Sequence, residues 1–246
     1  RPGAFGPEYA NPLDCPGALY DTAAVLVFRG VASGLPSPQP SFVYYGPQPG
    51  RFADQVAGAF DANGDGRDDL LLGGPYWYRP GVDYVGGVAL LLGRPAAPSG
   101  ITVICAPDYT WFGIGEFDQA GYGIAGLDDL DGDGCDEFAV GTWLEDVATV
   151  NDGTVRLFHG WGGAGCPAGP EAATLGSPDP FSGTGWAMAS GGDVDGDGLF
   201  DLAVGAPYAI AGNNSVGAAW VLLGSHLASL PTEPVVVGVG PATDCS

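Results

Sequence analysis

Short apolar runs bounded by Gly, Pro, Asn or Asp recur along most of the chain, and they group into sets of four. Each set begins with a short leading segment: Phe52–Ala57, Tyr122–Ala125 and Trp186–Ala189. A strongly apolar run follows: Leu70–Pro75, Phe138–Gly141 and Leu202–Pro207. The third member opens and closes on glycine: Gly87–Gly93, Gly153–Gly160 and Gly217–Gly224. The fourth is weaker: Ile101–Cys105, Glu171–Leu175 and Pro234–Gly238. Several of these runs are apolar at successive positions, as expected of strands whose sheets are covered on both faces. Apolar stripes at helical spacing last no more than a turn or two, so the pattern predicts strands nearly throughout. Before the first full set, Ala23–Gly30 reads as a third member and Ser41–Tyr45 as a fourth, which makes a partial set.

Between the first and second members of each full set lies an acidic loop on one template. The copies begin at Asp61, Asp129 and Asp193. Loop positions 1, 3, 5 and 9 carry oxygen side chains, and position 6 is Gly. Hard cations such as calcium take six to eight oxygen ligands, and this spacing supplies them. The expected ligands are Asp61, Asn63, Asp65 and Asp69 in the first loop; Asp129, Asp131, Asp133 and Glu137 in the second; and Asp193, Asp195, Asp197 and Asp201 in the third. Position 7 (Arg67, Cys135 and Leu199) is expected to add a backbone carbonyl, which lets its side chain vary. Asn63 makes the first cage one charge poorer and so the weakest, while the longer Glu137 is expected to shift the second. Magnesium fits less well, because it demands octahedral geometry and holds its waters.

Two rival readings of the loops are weaker. Asp-Gly is a common hairpin turn, so one such loop could be a solvated acidic turn. Three copies with every cage position filled argue otherwise. An EF-hand shares positions 1, 3, 5 and 6 but needs a bidentate Glu at position 12 and flanking helices. Position 12 here is Leu72, Val140 and Val204, each inside a predicted strand. Three calcium ions with a structural role are therefore expected, each relieving the repulsion of carboxylates crowded into one turn.

Asp61, Asp129 and Asp193 stand 68 and 64 residues apart. That period is too long for a solenoid repeat and suits a four-stranded propeller blade with its loops. The fold expected is all-β: a β-propeller of four-stranded antiparallel blades, with three full blades and a partial N-terminal one. Its divisions are 1–50 for the partial blade, then 51–120, 121–183 and 184–246, each with a calcium loop.

The combination of motifs resembles FG-GAP repeats, the blades of integrin alpha-chain propellers and of many bacterial surface proteins. Val204-Gly205-Ala206-Pro207 is nearest to the GAP signature, and Leu72-Gly73-Gly74-Pro75 and Val140-Gly141-Thr142 depart from it mildly. Phe52-Ala53, Tyr122-Gly123 and Trp186-Ala187 stand where the FG element belongs. The resemblance covers about residues 23 to 240. Family propellers usually have seven blades, so it implies an excised portion, a ring closed with a partner, or a small or open ring.

Composition narrows the partners. The 246 residues are 46% apolar, enough for a large core, and the 44 Gly and 22 Pro suit many tight turns. The formal charge is −22 and all seven basic residues are Arg. Such a surface disfavours nucleic acid and anionic lipid, both of which need clustered cations. Three calcium ions would bring the charge to about −16. No apolar run reaches the roughly 18–20 residues of a membrane span. The chain opens on Arg1, which suggests a mature or excised form. The five cysteines form no CxxC pair, which disfavours zinc ribbons and thioredoxin chemistry. Cys135 and Cys166 fall in loops on one face of the same predicted blade and are expected to pair. Cys15, Cys105 and Cys245 are left unassigned. Calcium and disulfides together point to an extracellular or cell-surface location, or a periplasmic one.

Catalytic motifs are missing from the sequence: GxSxG, HExxH and a phosphate-cradling glycine loop are all absent. His159 and His226 follow apolar strands and read as surface residues. The chain is therefore expected not to be an enzyme, but an adhesion or protein-assembly module. The alternatives are a lectin-like carbohydrate binder and, behind it, a polysaccharide hydrolase or lyase domain using paired acids. In a four-stranded blade the acidic 1–2 loops share one face, and the 2–3 and 4–1 loops share the other. That other face would carry Tyr76, Trp77, Tyr78, Tyr84, Tyr109, Trp111, Phe112, Trp143 and Tyr208, and is expected to meet a protein or glycan partner. Self-association to close a ring is a further expectation.

Overall fold

The computed structural model describes residues 23–30, 33–34, 38–46, 53–79, 81–95, 100–147, 149–162, 166, 171–177, 179–211, 214–228 and 235–236. Cys15, Cys245 and Phe52 lie outside these residues. The elements in chain order are β1 (Ala24–Val27), β2 (Phe42–Tyr45), β3 (Gln55–Ala57), β4 (Leu70–Gly73), β5 (Gly87–Leu91), β6 (Thr102–Ile104) and β7 (Tyr109–Phe112). Next come β8 (Ala120–Gly126), β9 (Phe138–Thr142), β10 (Thr154–Phe158), β11 (Glu171–Gly176), β12 (Ala187–Gly192) and β13 (Asp201–Ala206). A small hairpin of β14 (Ile210–Ala211) and β15 (Asn214–Ser215) precedes β16 (Ala218–Leu222), a one-turn helix α1 (Gly224–Leu227) and β17 (Val235–Val236). Apart from that single turn the secondary structure of the described residues is all β.

The strands form successive antiparallel sheets. The N-terminal sheet pairs β1 with β2 in register from Ala24–Tyr45 to Val27–Phe42. The first full sheet has the order β3-β4-β5-β7, all antiparallel. The second runs β8-β9-β10-β11, again antiparallel, with β17 added beyond β11. In the third, β12, β13 and β16 pair in that order. Side chains alternate across each sheet, so neighbouring residues serve different interfaces. Leu71, Val88 and Leu90 of the first sheet pack with Ile124, Phe138, Val140 and Phe158 of the second. Leu72, Ala89 and Leu91 turn the other way, onto Tyr44 and Ile104. The second sheet repeats the device: Ala139, Val155, Leu157 and Leu175 face Leu202 and Val204 of the third. This double coverage is why the strand sequences are apolar at successive positions.

Two of the predicted fourth strands sit elsewhere. The run at Ile101–Cys105 was expected on the outer edge of the first full sheet, but β6 pairs in parallel with β2 of the N-terminal sheet. The outer edge is β7 instead, antiparallel to β5 from Gly87–Phe112 to Leu90–Tyr109. Burial decides the exchange. Ile104 joins the core around Tyr44, while Tyr109 and Trp111 cover the core between the first and second sheets. The run at Pro234–Gly238 behaves alike: β17 lies parallel to β11 on the second sheet, not on the third. Among the described residues the third sheet thus has three strands.

These departures share one rule. After the third strand of each full sheet, the chain reaches back over the preceding sheet. From β5 it goes to β6, on β2; from β16 it goes to β17, on β11. After β10, the amide of Trp161 donates to the carbonyl of Ala62 at 2.5 Å and its ring meets Tyr109 at 4.9 Å, both in the first sheet's territory.

Glycine sets how closely the sheets approach. A Cβ on Gly73 would strike the carbonyl oxygen of Gly121, and one on Gly141 that of Gly185. Gly205, at the matching place in the third sheet, has as its nearest outside atom the carbonyl oxygen of Ala187 at 3.5 Å, an ordinary contact. The outward residues around it, Ala187, Ala189, Ala203, Ala219 and Val221, are exposed. Gly141→Ala should therefore cost about 1–3 kcal/mol by overpacking, while Gly205→Ala stays within about 0.5 kcal/mol. Urea unfolding of the two variants measures the difference, and equal losses would contradict this packing.

Candidate metal centres

In all three acidic loops the same backbone amides bind the same side-chain positions. The position-1 carboxylate accepts from the position-6 glycine: Gly66 to Asp61 at 2.6 Å, Gly134 to Asp129 at 2.9 Å and Gly198 to Asp193 at 2.9 Å. Position 3 accepts from the amide of position 5: Asp65 to Asn63 at 3.1 Å, Asp133 to Asp131 at 3.1 Å and Asp197 to Asp195 at 3.2 Å. Position 5 accepts from position 7: Arg67 to Asp65 at 3.0 Å, Cys135 to Asp133 at 2.9 Å and Leu199 to Asp197 at 2.9 Å. Each loop is thus a ladder of Asx turns, which asparagine and aspartate side chains favour. The ladder turns the side chains of positions 1, 3 and 5 toward one another. Ligand atoms of Asp129, Asp131 and Asp133 lie within 4.8 Å of each other, as do those of Asp193, Asp195 and Asp197. Amides, first that of Gly198, hold the Asp193 carboxyl below its usual range, against the opposing effect of desolvation.

Position 9 does a different job. Asp69 and Asp201 are 0% and 3% exposed, and each spends one oxygen on the amide of position 2 and the other on the glycine that ends the third strand. For Asp69 these are Ala62 at 2.9 Å and Gly93 at 2.6 Å; for Asp201, Val194 at 2.6 Å and Gly224 at 2.9 Å. Burial pushes the Asp69 carboxyl up to about 6, with Asp61 and Asp65 adding to the rise and the two amides opposing it. Glu137, 4% exposed, keeps the first bond in full, from Leu130 to Oε2 at 2.7 Å. Its Oε1 makes no hydrogen bond and faces Nδ1 of His159 at 3.7 Å. Burial first, then the charges of Asp131 and Asp133, raise Glu137 to about 8 against the amides of Leu130 and Gly160.

Loops one and two clasp each other. The Asp61 amide donates to Asp136 Oδ2 at 2.6 Å, and the Asp136 amide returns a bond to the Asp61 carbonyl at 2.9 Å. Cys135 and Cys166 are disulfide-bonded, as their placement in the loops predicted. Cys105 is disulfide-bonded as well. The donors present suit a hard cation: carboxylate oxygens, aligned by amides and gathered at an exposed turn.

The aromatic face is rearranged relative to expectation. Trp77 is 2% exposed and belongs to the core with Tyr44 and Leu72, so it offers nothing to a partner. Tyr109, Trp111 and Phe112 are strand residues of β7, not loop residues, and Arg156 lies over the Trp111 ring at 5.7 Å. Tyr76 meets Tyr84 edge-on at 6.3 Å, and Tyr84 stacks on Phe117 at 5.8 Å. Trp143, Trp186 and Tyr208 form a contiguous group, with ring separations of 4.6 and 5.8 Å. Beside it runs a groove of about 440 Å³ lined by Trp143, Phe181, Tyr208 and Ile210. His159 was read as a surface residue, yet its Nδ1 is buried against Asp131 and Glu137. The signal for it was in the sequence: the other two sheets have Leu92 and Leu223 at that place.

Comparison with known proteins follows the same lines. The FG-GAP repeat family matches residues 184–222. Residues 184–222 thus carry an FG-GAP repeat, and the chain is similar to integrin alpha chains. Integrin alpha-PS2 of Drosophila melanogaster is 34% identical over 176 residues, 65% of this chain and 12% of the relative. Integrin alpha-IIb of Mus musculus is 32% identical over 173 residues, 68% of this chain and 16% of the relative. Phosphatidylinositol-glycan-specific phospholipase D of Mus musculus is 27% identical over 158 residues, 64% of this chain and 18% of the relative. The chain therefore spans less than a fifth of each of these relatives. The last of them corrects one expectation. The expectation that the chain is not an enzyme is overturned: a relative that is an enzyme by name matches it over 158 residues. Among the described residues no helix is long and apolar enough to cross a membrane.

Proposed function

We propose that this chain is a calcium-stabilised set of FG-GAP propeller blades, three full and one partial, acting outside the cell as an adhesion or protein-assembly module. The observation that carries the reading is the set of three Asx-turn bonds common to all three loops, with the carboxylates of positions 1, 3 and 5 gathered within 4.8 Å in the second and third. Positions 1, 3 and 5 would hold each ion, with the position-7 carbonyl completing the ring. Position 9 would close it from below, since a carboxylate oxygen has lone pairs beyond those its amides use. Similarity to integrin alpha chains supports a protein partner. The disulfide-bonded Cys105, Cys135 and Cys166 support an oxidising compartment. Calorimetric titration should find three calcium ions per chain, the weakest at the Asn63 loop, and Asp195→Ala with Asp197→Ala should leave two. Failure to bind calcium at millimolar concentration would overturn the proposal. The groove beside Trp143 and Tyr208 favours a glycan as the second reading, since sugars stack on such rings. A glycan-array signal that disappears with Tyr208→Ala would select it.

A further inference from the structure

Loop two differs from its siblings at two places that meet in space. Position 9 is Glu137, where the other loops have Asp69 and Asp201. The residue before the strand-ending glycine is His159, where the others have Leu92 and Leu223. Glu137 is one methylene longer, and its buried Oε1 is left without a hydrogen bond of normal geometry, although the Gly160 amide acts on the carboxyl. Nδ1 of His159 is buried, also makes no hydrogen bond, and lies 3.7 Å from it and 3.1 Å from Asp131 Oδ2. Ligand atoms of all three residues fall within 4.8 Å of one another.

We propose that Asp131, Glu137 and His159 form a mixed oxygen–nitrogen site for a first-row divalent cation such as zinc, at loop two only. Geometry admits the ion: with bonds of about 2.0–2.1 Å, tetrahedral zinc sets its donors about 3.3 Å apart, and the two measured separations bracket that value. Donor chemistry selects it. Calcium prefers oxygen throughout, whereas imidazole suits zinc and its neighbours. A cation between Oε1 and Nδ1 would also satisfy two buried atoms that the protein leaves without a hydrogen-bond partner, a costly condition otherwise. Leucine at the matching place in the other blades denies loops one and three any such donor. The inference goes beyond the calcium reading while sharing Asp131 and Glu137 with it, so the test is run with calcium already saturating.

Zinc is titrated calorimetrically into the intact chain in millimolar calcium, beside His159→Leu, the residue its sibling blades carry. The wild type should take up one zinc ion, and the variant should bind it at least about tenfold more weakly. The calcium isotherm of each protein is measured separately, so loss of calcium binding and loss of zinc binding are told apart. Equal zinc affinity in the two proteins would refute the site, as would zinc uptake by the wild type only when calcium is withheld. Should His159→Leu fail to fold, nitrogen-15 NMR of the wild type decides. Zinc should move the Nδ1 resonance of His159 and leave that of His226 in place; an unmoved His159 refutes the site.

Discussion

Chelating calcium should lower the melting temperature by roughly 15–30 °C. The expectation follows from the charge crowded into the loops. Eleven carboxylates occupy the proposed cage positions, in a chain whose formal charge is already −22. An ion that binds only the folded loop stabilises it by about 2.7 kcal/mol at a hundredfold excess over its dissociation constant. Three such sites contribute about 8 kcal/mol, and in a chain of this size each kcal/mol moves the melt by about 2–4 °C. The loops also clasp each other through Asp61 and Asp136, so loosening one loop weakens the seam between two sheets. Calorimetric scans in EGTA, with calcium restored afterwards, measure the shift. A matched scan in EGTA with molar sodium chloride separates specific binding from screening, which would restore stability without calcium. A melt unchanged by EGTA rules out structural calcium.

Glu145→Gln should destabilise the fold by about 3–5 kcal/mol, the cost of breaking a buried ion pair on one side. Glu145 is bound to Arg156 through Oε1 and Nη2 and again through Oε2 and Nε at 3.1 Å. Thr142 and Thr154 donate their hydroxyls to Oε2 at 2.6 and 2.8 Å. The side chains of the pair are 9% and 7% exposed, so water screens the interaction little. Glutamine keeps the shape but removes the carboxylate charge paired directly with the guanidinium. The double variant Glu145→Leu with Arg156→Met removes both charges and should recover most of the loss, as apolar replacements of buried pairs do. Urea midpoints of the three proteins test this, and a double variant no better than Glu145→Gln contradicts it. Acid should act on the same pair. Burial is the largest single influence on Glu145 and opposes its charge, but Arg156 and the two hydroxyls together outweigh it and hold the carboxyl below its usual range. Stability from a depressed carboxyl is complete above its unfolded value and is lost as pH falls through the folded one. The wild type should therefore lose this contribution below about pH 4, and the double variant should not.

The order of the first three strands within each full sheet was legible because it follows from local signals: apolar runs, turn residues and the acidic loop between the first two strands. The acidic turns were legible because their template of Asp, Asn and Gly recurs at a fixed spacing. What escaped was decided by packing between distant segments. The apolar alternation of Thr102–Ile104 says that it is a strand, but not which sheet it joins; that depends on Tyr44, far away in sequence. Trp77 looked like a loop aromatic because nothing nearby reveals that it closes the core beneath Leu72. His159 was missed for another reason. Histidine in a turn is ordinary, and its meaning appears only when it is set beside Leu92 and Leu223.

The back-reaching connections bear on how the molecule would carry load. An assembly of sheets held only by side-chain packing can be sheared apart at the seam between two neighbours. Here each seam is also crossed by main chain: β6 is bonded to β2, Trp161 to Ala62, and β17 to β11. Pulling two neighbouring sheets apart must peel a backbone stitch as well as separate apolar surfaces. A module working under tension between two attachment points would yield at the stitches one after another, not along one seam at once.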